Sequence, residues 1–145
     1  MTSESNFVEN SEAVQAHLSM SQNIIQRMAA NSASCKGYCI TLVSAILVLV
    51  ADKGKPEFTY IALIPTVLFL ALDVYYLALE RLFRTAYNTF IRKLHARTII
   101  ADDLYVMKPE GYIFQTMFSC FGSFSVWPFY LTLAVMVFVT KRLVM

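Results

Sequence analysis

Thr59, Thr66 and Asp73 recur at every seventh position along the otherwise apolar run Phe58 to Leu79, and Glu80 continues the spacing just past its end. The run holds 22 residues, and at about 1.5 Å rise per residue a helix of that length crosses a bilayer core of about 30 Å. A polar line on such a helix faces protein or water rather than lipid. Asp73 is the one charge within the run, and an Asp near mid-span costs about 2.5 to 3.5 kcal/mol on insertion scales, so it needs a partner or a function. A position close enough to the inner headgroups to reach water or a lysine is the plainer alternative.

The same pattern predicts the rest of the architecture: an all-α integral membrane protein, with a long transmembrane helical hairpin, cytoplasmic helical extensions and a third C-terminal membrane segment. Residues 1–10 read as disordered. Residues 11–36 form an amphipathic helix, with an N-cap at Ser11 and Val14, Leu18, Ile25 and Met28 on a seven-residue repeat. The first span is 37–51, the external turn 52–57 carries Gly54 and Pro56, and the second span is 58–79. Residues 80–100 continue as a basic amphipathic helix with Leu82, Phe83, Ala86, Tyr87, Phe90, Ile91 and Leu94 on one face. The stretch 101–111 reads as a linker, 112–124 as an interfacial or re-entrant piece, and 125–140 as a third span with Pro128 in its first turn. A complete re-entrant hairpin over 112–140 is the alternative, and it would return the C-terminus to the inside.

Folding the two long arms about the turn sets Lys36 beside Asp73, Glu12 beside Arg97 and His17 beside His95. A Lys36–Asp73 ion pair is therefore the first candidate partner for the costly carboxylate. Ser34, Thr41 and Ser44 share a face of the first span and form a candidate counterpart to the polar line, as a wet pathway or interhelical seam requires. For the hydroxyls alone, bonding to the helix's own carbonyls is the simpler account. Ala29, Ala33 and Gly37 make a small-residue series where the hairpin closes or where copies of it meet.

Composition narrows the function classes. With 57% hydrophobic and 15% charged residues in 145, the chain is too apolar for a soluble domain and too short to carry a separate enzyme. The net charge of +2 and the absence of a basic cluster argue against nucleic acid as a direct ligand. The first 34 residues lack the basic start and early apolar core of a cleaved signal peptide. Cys35, Cys39 and Cys120 read as small apolar packing residues, and two facing histidines alone make a poor metal site, so neither a metal nor a cofactor is expected. No nucleophile elbow, P-loop, zinc-protease or dinucleotide-binding motif is present, so the reading is not an enzyme. Lys and Arg number eight over the N-terminal segment and the stretch Leu79 to Gly111, against two in the turn, which orients the N-terminus to the cytoplasm. The strip Arg81, Arg84, Arg92 and Lys93 is a candidate contact for a partner protein or for anionic lipid.

The run SCKGYCITLVSAILVLVADKGKPEFTYIALIPTVLFLALDVYYLALERLFRTAYNTFIRKLH is a short-turn membrane hairpin whose second helix continues as a basic amphipathic helix. In this layout the chain resembles, over about residues 11 to 100, the SLATT-type two-transmembrane effector subunits of bacterial anti-phage defence; the third apolar segment departs from that pattern. The resemblance implies a multi-pass protein of the bacterial inner (plasma) membrane that forms homo-oligomers, and a cytoplasmic sensor or regulatory protein as partner. It also implies a pore-forming or membrane-disrupting action. The rival expectation is a non-conducting membrane anchor or accessory subunit whose cytoplasmic hairpin docks a partner.

Overall fold

The computed structural model describes residues 11–144, in which all regular structure is helical. The segment 1–10, expected to be disordered, lies outside the described residues. Helix α1, Glu12–Lys53, runs unbroken through both the predicted cytoplasmic helix and the first span. At 42 residues it is about 63 Å long. The Ser11 hydroxyl accepts the Val14 amide at its start, and Gly54, in the left-handed region at φ 59°, returns its own amide to carbonyls at the end of the helix. Its buried residues, Val14, His17, Ser21, Met28, Ser32, Cys35, Cys39, Val43, Leu47 and Val50, recur at spacings of three, four and seven. Such a stripe packs along a single antiparallel partner.

That partner is α2, Leu63–His95, preceded by a 3-10 helix over Pro56–Ala62. The second span is therefore α-helical only from Leu63, a correction to the uniform helix expected from Phe58. Pro65 supplies the reason. It cannot donate to the carbonyl of Ile61, and its ring crowds that carbonyl, so the first turns tighten instead. The expected turn 52–57 shrinks to Gly54 and Lys55 between the two helices. Both α1 and the continuous unit Pro56–His95 are long and apolar enough to cross a membrane.

The far end differs from expectation in two ways. Helix α2 stops at His95 rather than running to residue 100, because Arg97 adopts φ 56° and the Thr98 amide turns back to the Lys93 carbonyl. The β-branched run Thr98, Ile99, Ile100 then favours extended backbone over helix. Nor is 101–111 a bare linker. Ile99 and Leu104 are buried with Val14, Phe90 and Leu94 in a small second core that closes the open end of the hairpin.

Helix α3, Ile113–Phe121, lies against α2 through Ile113, Met117 and Cys120, leaving Phe114 and Phe118 exposed. Helix α4, Trp127–Val144, runs back along the hairpin toward its turn. Near its start Tyr130 donates to the Phe69 carbonyl at 3.0 Å; near its end Lys141 donates to the Tyr60 hydroxyl at 2.6 Å. Val126, Tyr130, Leu133 and Val137 join Cys39, Val43, Leu47, Val74 and Ala78 in the main core.

Candidate functional site

The polar line of α2 points inward. Thr59, Thr66 and Asp73 are buried between the helices, and Glu80 is half-buried. The two threonines meet their hydrogen-bonding needs locally, Thr59 donating to the Pro56 carbonyl at 2.7 Å and Thr66 to the Ala62 carbonyl at 2.8 Å. Glu80 is taken by Arg84, one turn along the same helix, at 2.8 Å.

Asp73 is different, because its side chain is 0% exposed and no backbone group of its own helix can neutralise it. Lys36, near the middle of α1, brings its ammonium to 2.6 Å from Asp73 Oδ2, and Lys36 itself keeps 21% exposure. The contact is ionic rather than a directed hydrogen bond. The Ser32 hydroxyl donates to Asp73 Oδ1, and Lys36 Nζ lies 3.5 Å from Ser32 Oγ. Ser32 and Lys36 are four apart and so share one face of α1. Tyr130 closes the group from α4 by bonding the carbonyl one turn before Asp73. The three helices thus converge on one carboxylate. The arrangement sets a cation and a hydroxyl of α1 against the buried carboxylate of α2, and these contacts exist at one register of the two helices.

The other sequence-picked residues fall elsewhere. Ser34 and Thr41 are exposed on the outside of α1, and Ser44 is half-buried, so they do not face the α2 line as expected. Thr41 bonds the Gly37 carbonyl at 2.9 Å. Ala33 and Gly37 are also exposed, Ala29 is half-buried, and a Cβ on Gly37 would meet nothing within 4 Å. The small-residue series therefore does not close the hairpin. The basic strip is not one free surface either: Arg84 pairs with Glu80, Arg92 bonds Thr89, Lys93 pairs with Asp103 at 2.7 Å, and Arg81 reaches Ser119 and Ser123. Ser32 and Tyr130 were missed. The i, i+4 spacing to Lys36 offered a clue to Ser32, whereas nothing in the sequence ties Tyr130 to Asp73.

His17 and His95 do not form a facing pair. His17, 4% exposed, stacks on Phe90 with ring centroids 4.0 Å apart, and its Nδ1 accepts the Tyr105 amide at 2.9 Å. His95 follows Phe90 by five residues, which puts it on another side of α2. Burial pushes the His17 imidazole below its ordinary value of 6.5, with Asp103 opposing in part; Asp103 is itself held low, chiefly by its hydrogen bond from Lys93. A protonated Nδ1 cannot accept from Tyr105. The neutral form is the one the fold favours, so this contact is complete above pH 6.5 and weakens as pH falls below it. The protection factor of the Tyr105 amide, its exchange rate relative to the free-peptide rate at the same pH, is expected to fall roughly five-fold on acidification, the loss of about 1 kcal/mol for one hydrogen bond. His17→Phe should show the lowered protection factor at every pH, and equal protection in His17→Phe and wild type would show that the contact does not hold the loop.

Comparison with models of protein families, with curated proteins and with solved structures finds no match for this chain.

Proposed function

We propose that this chain is the subunit of a homo-oligomeric membrane effector that breaches a bacterial inner membrane, with a cytoplasmic sensor or regulatory protein as its trigger and anti-phage defence as its setting. The observation that carries the reading is the outer side of α1, where Ala33, Ser34, Gly37 and Thr41 are exposed within an apolar helix. Elsewhere the exposed apolar surface is built of large side chains such as Val48, Leu49, Ile64, Val67, Leu68 and Leu131. Lipid is served by the large residues and gains nothing from glycine or hydroxyls, whereas a second helix packs closely on small residues.

The single chain encloses no water path along its polar line, since Thr59 and Thr66 are closed by their own backbone and Asp73 by Lys36 and Ser32. A pathway would then form between copies, and a ring is the closed form such an assembly takes. Support for a third crossing comes from α4, whose Lys141 reaches Tyr60 beside the hairpin turn. The eight-to-two charge bias supports an N-terminus inside and a turn outside.

Induced expression in bacteria, followed with a voltage-sensitive dye, tests this. The native chain should depolarise the membrane. Gly37→Leu should abolish depolarisation without disturbing the fold, because the added side chain points into open space in the single chain. Depolarisation that survives Gly37→Leu would place the assembly face elsewhere. A native chain that never depolarises the membrane favours the second reading, an anchor that docks a partner. That reading draws on a cleft of about 260 Å³ at the far end of the hairpin, bordered by His17, Phe83, Tyr87, Lys93, Met107 and Lys108.

A further inference from the structure

We infer that Arg81, Ser119 and Ser123 form a binding site for the phosphate of an anionic phospholipid, an inference that rests on the membrane-embedded reading above. Arg81 sits where the apolar part of α2 gives way to its charged part. Its Nη1 lies 3.5 Å from Ser119 Oγ on α3, and its Nη2 donates to Ser123 Oγ at 3.2 Å in the turn before α4. The neighbouring carboxylate, Glu80, is occupied by Arg84 at 2.8 Å. Among the described residues Arg81 has no carboxylate partner, so its guanidinium charge is uncompensated at a half-buried position.

A guanidinium fork flanked by two seryl hydroxyls matches the oxygens of a phosphodiester, to which arginine binds through two parallel hydrogen bonds. The surroundings identify the source of that phosphate. Phe118, Phe121, Phe124 and Trp127 are all exposed around the site, and Phe121 and Trp127 meet edge to face with centroids 5.3 Å apart. The amphipathic ring of Trp127 is of the kind that settles at the boundary between headgroups and acyl chains, and the three phenylalanines beside it present apolar surface to the chains. The uncharged stretch from Tyr112 to Thr140 continues from them. The site thus offers cation and hydroxyls to a headgroup and an aromatic surface to its chains. A free phosphate would use the first half alone.

The test uses the full chain reconstituted in vesicles of neutral phosphatidylcholine, with and without phosphatidylglycerol. Flotation reports insertion, and native mass spectrometry after extraction reports the lipid retained. The expected result is insertion into both vesicles and preferential retention of phosphatidylglycerol. Arg81→Gln should lower that retention at least about five-fold, and the double variant Ser119→Ala, Ser123→Ala should lower it while keeping the charge. Arg84→Gln, the same loss of charge from an ion-paired position, should retain the lipid. Equal losses in Arg81→Gln and Arg84→Gln would reduce the effect to bulk charge and overturn the site. So would displacement of the retained lipid by inorganic phosphate, which would make the ligand free phosphate. Insertion into neutral vesicles with no preference for phosphatidylglycerol overturns the site alone, whereas failure to float with either vesicle overturns the membrane reading with it.

Discussion

Lys36→Met is expected to be the most damaging single substitution in the hairpin, costing about 3 to 5 kcal/mol. The ammonium it removes is the only cation within 4 Å of a fully buried carboxylate among the described residues. Asp73 would keep the Ser32 hydroxyl, but one neutral donor does not offset a charge in a low-dielectric interior. The reverse change is gentler. In Asp73→Asn the stranded group is Lys36, which is already 21% exposed and has a long stem with which to reach water. The double variant Lys36→Met, Asp73→Leu removes both charges and should recover most of the loss, because an apolar pair of similar volume replaces an ion pair at little cost. Unfolding of the purified chain in detergent, followed by circular dichroism, orders the three. Equal stabilities for Lys36→Met and Asp73→Asn would show that the ion pair does not hold the helices in register.

The second large effect is expected at Gly111, which precedes α3. Its φ of 125° lies where side chains are rarely accommodated, and a Cβ there would come within 2.8 Å of Leu82 Cδ2. The backbone cost alone is about 1 to 3 kcal/mol. Leu82 is buried, so its side chain has little room to retreat. Gly111→Val should therefore detach α3 from α2 and expose Cys120, which is fully buried in the intact fold. Labelling by a thiol reagent measures this directly: Cys120 should react much faster in Gly111→Val than in the native chain. Unchanged protection would mean that α3 docks independently of the turn before it. Gly54 also has a positive φ, but nothing lies within 4 Å of its Cβ position, so Gly54→Ala should show only the smaller conformational cost.

The partition between what was legible and what was not follows the range of the interactions. Apolar length and periodicity act locally, and they gave the two long helices, the tight turn between them and a last helix with Pro128 in its first turn, expected from residue 125 and observed from Trp127. The pairing of Lys36 with Asp73 was legible because a short turn between two straight helices fixes which heights meet, and the distance of 2.6 Å lies at that height. Equal height does not bring His17 and His95 together. Height says nothing about rotation around the helix axis, and rotation set His17 against Phe90 instead. Ser34 and Thr41 likewise share a height with the polar line of α2 but face outward.

By itself, the sequence determined that the chain is helical, that its two longest apolar stretches fold back on each other, and that a carboxylate inside them needs a cation. These conclusions depend on composition, spacing and the length of one turn. Only the tertiary structure decided which residues complete the clamp, that the small-residue face of α1 is left open, and that Arg81 meets Ser119 and Ser123. Each of those depends on how a helix is rotated about its own axis and where a later segment returns to it. That rotation is chosen by the simultaneous packing of α1, α2 and α4 around one core, a many-body condition that no local pattern in the chain encodes.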